Sequence, residues 1–478
     1  MTFLERVYEI FSQLNAIPRA SHHEEKVADF LCQYAERLGL DYDRDAENCV
    51  VIRKPASPGC EEREPVVLLN HMDMVAVGDG SRPFDPLTDG IEAYVDGDWM
   101  KARGTSLGAD NGIGLSMALA VLADDSLVHP ALEVLTTTNE EDGMSGAANL
   151  STDFIKGRRV INLDSEDYDT ITVGAAGAYL QVATLPVARF DVPEIDSFFR
   201  LEISGGLGGH SGVDINKGRI NANRELCHVI RAMRETNCPS IYIAEINGGD
   251  ANASIPGRCC AVVGVRDDEA DAFVAIARLH DMRIRKMYPD DPDVMLTCEK
   301  TERKPLIISC DIARMVDRLP CGTIMMRSDM PDTVMTSNNI GVIRTTEDGY
   351  VTVSCHTRSF SDDEMVGFAE IIQREFEGNG ADVKVVMNTP GWQENTESSY
   401  LKLVDDTFRD VLNFSPRKVA MHFVLEAGYY VQKYPGIEIA CIGPRIIEPH
   451  SAKERVQLST VGDICMVLVE LLKRLSCF

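Results

Sequence analysis

Two amphipathic helices are predicted at the start of the chain. Apolar residues recur every three or four positions in two segments, and Pro18 separates these segments. The two sets are Phe3, Leu4, Val7, Ile10, Phe11 and Leu14, followed by Val27, Phe30, Leu31, Tyr34 and Leu38. Ser21 and Glu24 have the spacing of a capping box, which predicts that the second helix begins there.

Four apolar runs of strand character lead towards residues that can bind a metal ion. They are Val66–Asn70 before His71-Met-Asp73, Leu132–Leu135 before the acidic pair Glu140 and Glu141, Val160–Leu163 before Asp164, and Ile437–Gly443 before His450. In open α/β sheets the functional site lies outside the carboxyl ends of the strands. The recurrence therefore predicts one crevice in which these side chains meet.

A glycine-rich segment between Gly104 and Gly114 carries Asp110 and leads into an Ala/Leu/Met-rich helix, Ile113–Leu122. The segment lacks the Lys-Ser/Thr pair of a phosphate-binding loop, and its glycine spacing does not fit the dinucleotide fingerprint. Small residues let a backbone approach its neighbours closely. We therefore interpret the segment as a tight turn that presents Asp110 at the head of a helix.

The middle of the chain changes pattern and predicts an inserted α+β domain, 187–387. Its first part has the order of a ferredoxin-like unit: strand, helix, two strands, helix and strand. These elements are Leu201–Ser204, Ala222–Arg234, Ile241–Ile246, Cys259–Arg266, Glu269–Met287 and Val294–Cys298. A second, shorter series of elements repeats part of this order and predicts that the domain is duplicated. The series is helix Ile307–Arg318, strands Thr323–Arg327 and Tyr350–His356, helix Asp362–Phe376 and strand Val383–Met387.

The segments 1–186 and 388–478 are predicted to form one α/β domain around this insertion. Pro390-Gly-Trp392 marks the return of the chain to this domain, and a helix at Tyr400–Leu412 is predicted to cover its sheet. An amphipathic helix, Met466–Leu475, is predicted at the end of the chain.

Composition narrows the class of function. The chain has 478 residues, with 47 basic and 75 acidic side chains and a formal net charge of -28. This charge repels phosphate backbones and anionic membrane surfaces, so neither nucleic acid nor a membrane is an expected partner. No run approaches the roughly 20 apolar residues of a membrane span, and charges interrupt the N-terminal apolar residues that a signal peptide would need. The fourteen cysteines include no CxxC pair, so we expect a soluble cytoplasmic protein with reduced thiols.

The candidate ligands form a mixed set of two imidazoles and three carboxylates. They are His71, Asp110, Glu141, Asp164 and His450. Taken singly, each would be read as an ordinary exposed charge or a hydrogen-bonded histidine. Together they suit zinc and tolerate manganese or cobalt, and one bridging carboxylate would hold two ions about 3.5–4 Å apart. Hydrolysis at such a pair also needs a base, and the unliganded neighbour of a ligand is well placed for that role.

Five motifs make the chain resemble the co-catalytic zinc peptidases, a family that includes carboxypeptidase G, tripeptidase and aminoacyl-histidine dipeptidase. They are His71-Met-Asp73, Gly108-Ala-Asp110-Asn-Gly, Asn139-Glu-Glu-Asp-Gly143, Asn162-Leu-Asp-Ser-Glu166 and Pro449-His-Ser451. Their order and spacing match along nearly the whole chain. The aminoacyl-histidine (Xaa-His) dipeptidase branch is resembled in particular by Ile17-Pro-Arg19, Gly209-His-Ser-Gly212 and Gly443-Pro444. The resemblance implies a catalytic domain with a mixed sheet flanked by helices, and an inserted lid domain.

The resemblance also implies how two zinc ions would be held. Asp110 would bridge the ions, His71 and Asp164 would complete one site, and Glu141 and His450 would complete the other. In related enzymes an aspartate at the position of Asp164 tends to accompany aminopeptidase and dipeptidase activity, whereas a glutamate tends to accompany carboxypeptidases and deacylases.

Three catalytic residues are implied in the same way. Glu140 would act as the general base and later as the acid, and Asp73 would orient His71. His210, in the lid domain, would swing over the substrate and hydrogen-bond the developing oxyanion. The alternative for the segment Gly205–His210 is a flexible loop with an exposed histidine.

Four further residues are candidate substrate contacts. Arg358 has the donors to bind a substrate carboxylate bidentately, with a surface salt bridge as the alternative. Asn252 lines the site or only begins a turn. His422 and Glu426 belong to a His-x-x-x-Glu motif in which Phe423 and Val424 are bulkier than the small residues usual in this branch. This departure concerns specificity rather than reaction type.

These observations predict a cytoplasmic metallodipeptidase that hydrolyses short unblocked peptides of Xaa-His type, including β-alanyl-histidine. The alternatives are an N-acyl amino-acid deacylase or carboxypeptidase on the same scaffold, and a non-catalytic peptide- or metal-binding protein. A binding protein is expected to lack a ligand or the base, and the sequence retains both. A homodimer through the lid domain is one expected assembly, and a duplicated lid favours action of His210 within its own chain.

Overall fold

The computed structural model describes residues 1–236, 238–393 and 397–478. Unit 1 comprises Met1–Gly174, Glu394–Ala420 and Glu426–Phe478, and unit 2 comprises Ala175–Gln393 and Met421–Leu425. The sequence placed the first boundary between the domains after residue 186, but in the structure unit 2 already begins at Ala175. The reason is that the strand Gly177–Pro186 pairs within unit 2.

The helices and strands are numbered in chain order. The helices are α1 Phe3–Asn15, α2 Glu25–Leu38, α3 Ala109–Leu122, α4 Ser145–Asn149, α5 Ala222–Thr236, α6 Ala270–Met287, α7 Ile312–Arg318, α8 Asp362–Gly378, α9 Ser399–Leu412, α10 Ala427–Lys433 and α11 Leu458–Leu475. The strands are β1 Asp41–Arg44, β2 Val50–Lys54, β3 Val66–His71, β4 Ala93–Asp96, β5 Trp99–Ala102, β6 Leu132–Thr137, β7 Arg159–Asn162, β8 Thr170–Ala175, β9 Gly177–Pro186, β10 Arg189–Phe190, β11 Ser197–Ser204, β12 Gly209–His210, β13 Tyr242–Gly248, β14 Ser254–Ile255, β15 Cys259–Val265, β16 Met295–Thr301, β17 Ile307–Ile308, β18 Gly322–Met326, β19 Val334–Thr345, β20 Tyr350–Ser359, β21 Asp382–Thr389, β22 Arg417–Met421, β23 Glu438–Cys441, β24 Ile446–Ile447 and β25 Arg455–Gln457.

Unit 1 is built on an eight-stranded mixed sheet with the order β1-β2-β6-β3-β7-β23-β8-β22. The four central strands β6, β3, β7 and β23 run parallel. Parallel strands are buried on both faces, which explains why these four read as continuous apolar runs in the sequence. Helices α2 and α3 pack against β2 and β3, and α9 packs against β23, so the prediction of a mixed sheet flanked by helices is confirmed.

Helix α3 is apolar on nearly all sides because it lies inside the core of unit 1. It approaches the end of β7 closely, since a Cβ atom at Gly114 would lie 2.3 Å from the carbonyl oxygen of Leu163. Across the described ranges of the chain, the structure contains no helix of sufficient length and apolarity to cross a membrane.

Helix α2 begins differently from the prediction. Its N-cap residue is Glu24, whose side chain makes no capping hydrogen bond, so the predicted capping box of Ser21 and Glu24 is wrong. Ser21 Oγ instead donates to Asp73 Oδ2 at 2.8 Å, and Glu24 Oε1 accepts from the amide of Asn139 at 3.0 Å. Both side chains therefore bond to segments that carry candidate site residues.

Unit 2 contains two ferredoxin-like halves in one nine-stranded sheet. The first half runs β11-α5-β13-β15-α6-β16 along the chain, and its strands lie in the order β16-β11-β15-β13. The second half runs β9-α7-β19-β20-α8-β21, and its strands lie in the order β19-β20-β9-β21. The two orders mirror each other, which confirms the predicted duplication.

The second half is interrupted in sequence, because the whole first half is inserted between β9 and α7. The prediction therefore missed β9 as its first strand, and it also missed β19, Val334–Thr345. The predicted helix Ile307–Arg318 begins only at Ile312, since Ile307 and Ile308 form strand β17. The two halves meet at β13 and β19, where a Cβ atom at Gly249 would lie 1.8 Å from Gly341 O.

Candidate functional site

The carboxyl ends of the four parallel strands of unit 1 gather the candidate ligands. Strand β3 ends at His71, β6 leads into the turn with Glu140 and Glu141, and β7 is followed by Asp164. His450 lies on the segment after β23. The structure therefore brings these candidate side chains together within unit 1.

The first ligand group contains His71, Asp110 and Asp164, whose donor atoms lie within 4.8 Å of one another. His71 Nε2 is 3.2 Å from Asp110 Oδ1 and 3.2 Å from Asp164 Oδ1. On the other side of the ring, His71 Nδ1 is 3.3 Å from Asp73 Oδ1. One ring nitrogen thus faces two carboxylates while the other faces a third, the arrangement common for metal-binding histidines.

The second group contains Asp110, Glu141 and His450, so that Asp110 belongs to both groups. His450 Nε2 lies 3.1 Å from Asp110 Oδ2 and 2.8 Å from Glu141 Oε2. The His450 side chain is 49% exposed, whereas that of His71 is 1% exposed, so the second group is the more open to solvent. Among the described residues, the buried Oε1 of Glu141 has no hydrogen-bond partner.

The cluster stabilises positive charge at both imidazoles. Hydrogen bonds with Asp110 and Glu141 raise the pKa of His450 to about 11. Although burial would lower it, Asp164 and Asp110 hold the pKa of His71 well above its usual range. Burial raises the pKa of Asp164 to about 6, although His71 acts in the opposite direction. Such excess negative charge around mixed nitrogen and oxygen donors fits a pair of divalent cations.

The turn that carries Glu140 is fixed by three backbone contacts. Asn139 has a left-handed φ of 55°, and its amide donates to Glu24 Oε1 at 3.0 Å. The amides of Glu140 and Glu141 donate to the two oxygens of Asp73 at 3.1 and 3.2 Å. Burial raises the pKa of the Glu140 carboxyl well above its usual range.

Glu426 lies in unit 1 and is buried. Its Oε2 accepts hydrogen bonds from Thr137 Oγ1 at 2.9 Å and from the Tyr430 hydroxyl at 3.3 Å. Burial raises the pKa of Glu426 to about 8, and His71 acts in the opposite direction. Its Oε1 is buried and has no hydrogen-bond partner among the described residues.

His210 lies in unit 2, on the short strand β12. Its Nδ1 accepts hydrogen bonds from the amides of Gly212 and Val213 at 3.2 and 3.3 Å. These contacts assign the ring proton of the neutral imidazole to Nε2. Partial burial and the nearby Arg358 lower the pKa of His210, so the ring is neutral at pH 7.

Arg358 is buried in unit 2, on strand β20. Its Nε and Nη2 atoms each lie 3.4 Å from Ser211 Oγ, next to His210. The surface salt bridge considered as the alternative is not found, because Arg358 makes no ion pair within the part of the chain that the structure describes. Burial lowers the pKa of Arg358 to about 10, so the guanidinium remains charged at neutral pH. A buried cation of this kind is a natural partner for a carboxylate.

Two other sequence candidates lie near polar residues of strand β19 in unit 2. His422 Nε2 is 2.8 Å from Ser337 Oγ, and the carbonyl oxygen of Asn252 accepts from Asn339 Nδ2 at 3.2 Å. His356 was not a candidate. It precedes Arg358 by two positions on β20, so the two side chains share a face of the sheet. Its buried ring nitrogens have no partner among the described residues.

The peptidase dimerisation domain family matches residues 201–292, which lie within the first ferredoxin-like half of unit 2. The cytosol non-specific dipeptidase of Escherichia coli (strain K12) is 34% identical over 474 residues, which cover 98% of this chain and 97% of that protein. The chain belongs to the M20 peptidase family. As an M20 peptidase it is a hydrolase of peptide bonds.

Solved structures of M20 peptidases share the fold. Aminoacylhistidine dipeptidase from Vibrio alginolyticus matches with a TM-score of 0.90 and 31% identity, covering 98% of this chain and 96% of that one. An M20 family metallo-carboxypeptidase from Sulfolobus solfataricus matches with a TM-score of 0.56 and 13% identity, covering 99% and 100% of the two chains. At that identity the second likeness shows the fold alone.

Three buried groups next to the candidate ligands of this M20 peptidase were absent from the predicted site. They are Arg19, Glu24 and Glu454. Each bonds to the backbone of a ligand-bearing segment rather than to a side chain. Buried charged residues need partners, but periodicity does not indicate which backbone supplies them.

Proposed function

We propose that this M20 peptidase is a metal-dependent dipeptidase that hydrolyses the peptide bond of short unblocked peptides. The observation that carries the proposal is the pair of ligand groups that share Asp110 at the carboxyl ends of parallel strands. The name of the Escherichia coli relative, cytosol non-specific dipeptidase, supports the same class of substrate.

Two divalent cations would be held by the five sequence candidates. His71 and Asp164 would complete one site, Glu141 and His450 the other, and Asp110 would bridge them. Zinc is the proposed metal, with manganese or cobalt as alternatives, because imidazole and carboxylate donors suit all three. When bound, such a pair supplies Lewis-acid activation of a water molecule and of the scissile carbonyl group.

Glu140 would be the general base. It neighbours the ligand Glu141 but belongs to neither ligand group, so its carboxylate is available to take a proton from the attacking water and return it to the leaving amine. Asp73 would fix the position of His71 relative to the turn that carries Glu140, since its two oxygens contact both segments. Its role is to position these groups.

Residues of unit 2 would bind the substrate. The Nε2–H group of His210 would donate to the carbonyl oxygen on which charge develops, because Nδ1 is occupied by two backbone amides. The guanidinium of Arg358, which makes no ion pair among the described residues, would bind the substrate's terminal carboxylate. We assign His422 and Asn252 to the walls of this subsite.

Glu426 is proposed to contact the substrate's free α-amino group. Its carboxyl group is buried in unit 1, and the unpartnered Oε1 would accept a hydrogen bond from an ammonium group. A requirement for a free amino group separates a dipeptidase from the rival function, an N-acyl amino-acid deacylase on the same scaffold.

Preference for Xaa-His dipeptides is the finer part of the proposal. The name of the Vibrio alginolyticus protein supports such a preference, whereas the Escherichia coli name indicates broad specificity. A panel of alanyl-histidine, β-alanyl-histidine, alanyl-alanine, a tripeptide and an N-acetyl amino acid tests both levels, using protein reconstituted with zinc beside its Glu140→Ala variant.

The panel separates the candidate functions. Cleavage of the free dipeptides by the wild type, lost in the variant, is the expected result. Equal rates for alanyl-histidine and alanyl-alanine would refute the Xaa-His preference alone. Cleavage of only the acetylated substrate would replace the dipeptidase with the deacylase, and no turnover with two ions bound would favour a non-catalytic binding protein.

We also propose a cytoplasmic location and a homodimer formed through unit 2. The word cytosol in the relative's name supports the first, and the match to a peptidase dimerisation domain supports the second. Light scattering of the purified protein measures its mass directly. A mass of one chain at micromolar concentration would exclude the dimer.

A further inference from the structure

Glu454 is a buried carboxylate to which the proposed reaction gives no role. It is 3% exposed, and both of its oxygens face the loop that begins α3. Oε2 accepts from the amides of Leu107 and Gly108 at 2.7 and 2.9 Å, and Oε1 accepts from those of Ala109 and Asp110 at 2.7 and 3.2 Å. Four consecutive backbone donors thus converge on one side chain.

A buried cation, Arg19, bonds to the same loop. Its Nη2 donates to the carbonyl oxygen of Gly108 at 2.5 Å, and its Nη1 donates to those of Met72 and Asp73 at 3.2 and 2.9 Å. Gly108 has a φ of 68°, and a Cβ atom there would lie 2.4 Å from Arg19 Nη2. The loop therefore has little freedom to move away from Glu454.

Glu454 also belongs to the segment that carries the second imidazole. His450 precedes it by four residues, and the amide of Glu454 donates to the carbonyl oxygen of Ser451 at 3.1 Å. The side chain of Glu454 thus connects the His450 segment to the Asp110 loop. The functional groups of these two segments meet where His450 Nε2 lies 3.1 Å from Asp110 Oδ2.

We propose that Glu454 is a positioning residue that fixes Asp110 relative to His450 and thereby sets the affinity of both metal sites. The inference rests on the proposed metal-binding function. Asp110 belongs to both ligand groups, so displacement of its loop weakens both sites together. Glutamine cannot replace Glu454, because its NH2 group would face two backbone N–H donors that then lose their acceptor.

The competing explanation is that Glu454 only stabilises the fold. Glu133 offers a matched control, because it is 4% exposed and lies in the same unit. It is near the start of strand β6, whereas the candidate site follows the end of that strand. Its Oε2 accepts from the amides of Lys156 and Gly157 at 2.8 Å each. It therefore makes the same kind of contact away from the ligands.

The experiment compares the wild type with the Glu454→Gln and Glu133→Gln variants. Each protein is loaded with zinc, its zinc content per chain is measured by mass spectrometry, and zinc release to a colorimetric chelator is timed. The visible spectrum of the cobalt-loaded protein reports ligand geometry without any need for turnover. We expect about 10- to 100-fold faster release and an altered spectrum for Glu454→Gln, and wild-type behaviour for Glu133→Gln.

Two results would overturn the inference: wild-type release from Glu454→Gln, or equally fast release from both variants. If Glu454→Gln does not fold, Glu454→Asp keeps the charge on a shorter side chain, and wild-type release from that variant would count equally against the inference. A wild type that holds fewer than two zinc ions would instead refute the proposed function itself, and the inference with it.

Discussion

Asp73 accepts a hydrogen bond from the amide of Glu140, with 3.1 Å between Oδ1 and the nitrogen. The same oxygen lies 3.3 Å from Nδ1 of His71. Its other oxygen accepts from Ser21 Oγ at 2.8 Å and from the amide of Glu141 at 3.2 Å. One carboxylate therefore connects the imidazole of His71, a proposed ligand, to the turn that carries the proposed base and a second proposed ligand.

We predict that Asp73→Asn lowers both metal affinity and kcat, each by about 10- to 100-fold. Asparagine keeps the size of the side chain, but its NH2 group cannot accept from a backbone amide. Steady-state kinetics at saturating zinc and a zinc titration measure the two effects. Ser21→Ala removes one contact to Asp73 and serves as the milder control, and wild-type values for Asp73→Asn would contradict the prediction.

Glu140→Gln is expected to reduce kcat by about 10²- to 10⁴-fold while leaving two metal ions per chain. The side chain belongs to neither ligand group, so its loss removes proton transfer rather than metal binding. Asp142→Asn is the matched control, because Asp142 is a nearby carboxylate whose side chain is 73% exposed. Loss of metal from Glu140→Gln would show that Glu140 is a ligand.

The part of the site that could be predicted is the part in which single side chains follow buried strands. The apolar runs before His71, Asp164 and the Glu140–Glu141 pair are parallel strands, and the topology brings their carboxyl ends together. The polarity pattern indicated these strands, because a buried parallel strand has no polar face, while the roles of the residues that follow them came from the family resemblance.

The supporting groups could not be predicted, because they bond to backbone that is distant in sequence. Glu454 lies 344 to 347 positions from the four amides it binds, and Glu24 lies 115 positions from Asn139. Strand β19 was missed for another reason. Its first half contains the segment Thr336–Asn339, which is polar but buried and so breaks the apolar pattern of a core strand.

Arg358→Met is predicted to raise KM for dipeptides by about 10- to 100-fold, since a charged hydrogen-bonded contact is worth about 1.5–3 kcal/mol. The effect should be confined to substrates with a free carboxylate, so dipeptide amides should be cleaved equally well by both proteins. Arg303→Met, at a 63% exposed arginine of unit 2, controls for loss of charge. An equal loss on amide substrates would contradict carboxylate binding.

Mixing Glu140→Ala with His210→Ala protein is expected to recover no activity. The edge of β13 in the first half of unit 2 is covered by β19 of the same chain, which favours action of His210 within its own chain. The two variants are mixed, dissociated under mild conditions, reassociated and assayed on a dipeptide. Recovery towards a quarter or more of wild-type activity would show that His210 acts across subunits.

Stability should fall on mild acidification because of a buried histidine in unit 2. Burial, assisted by the charge of Arg358, lowers the pKa of His422 to about 3. An unfolded histidine has a pKa of about 6.5. Between these values the unfolded chain binds a proton that the folded chain does not, so this contribution to stability is complete above pH 6.5 and is lost as the pH falls towards 3.

We therefore expect the wild type to lose more stability than His422→Gln between pH 7.5 and pH 5.5, with a limiting slope of about 1.4 kcal/mol per pH unit for one group. Glutamine can keep the hydrogen bond to Ser337 but does not titrate. Urea unfolding at both pH values gives the change in the free energy of unfolding for each protein. Subtracting the change in His422→Gln from the change in the wild type cancels the titration of the groups around His71 and His450, which both proteins share. The exposed His23→Gln variant should behave like the wild type. Parallel pH dependence in the wild type and His422→Gln would show that His422 does not remain neutral in the folded protein.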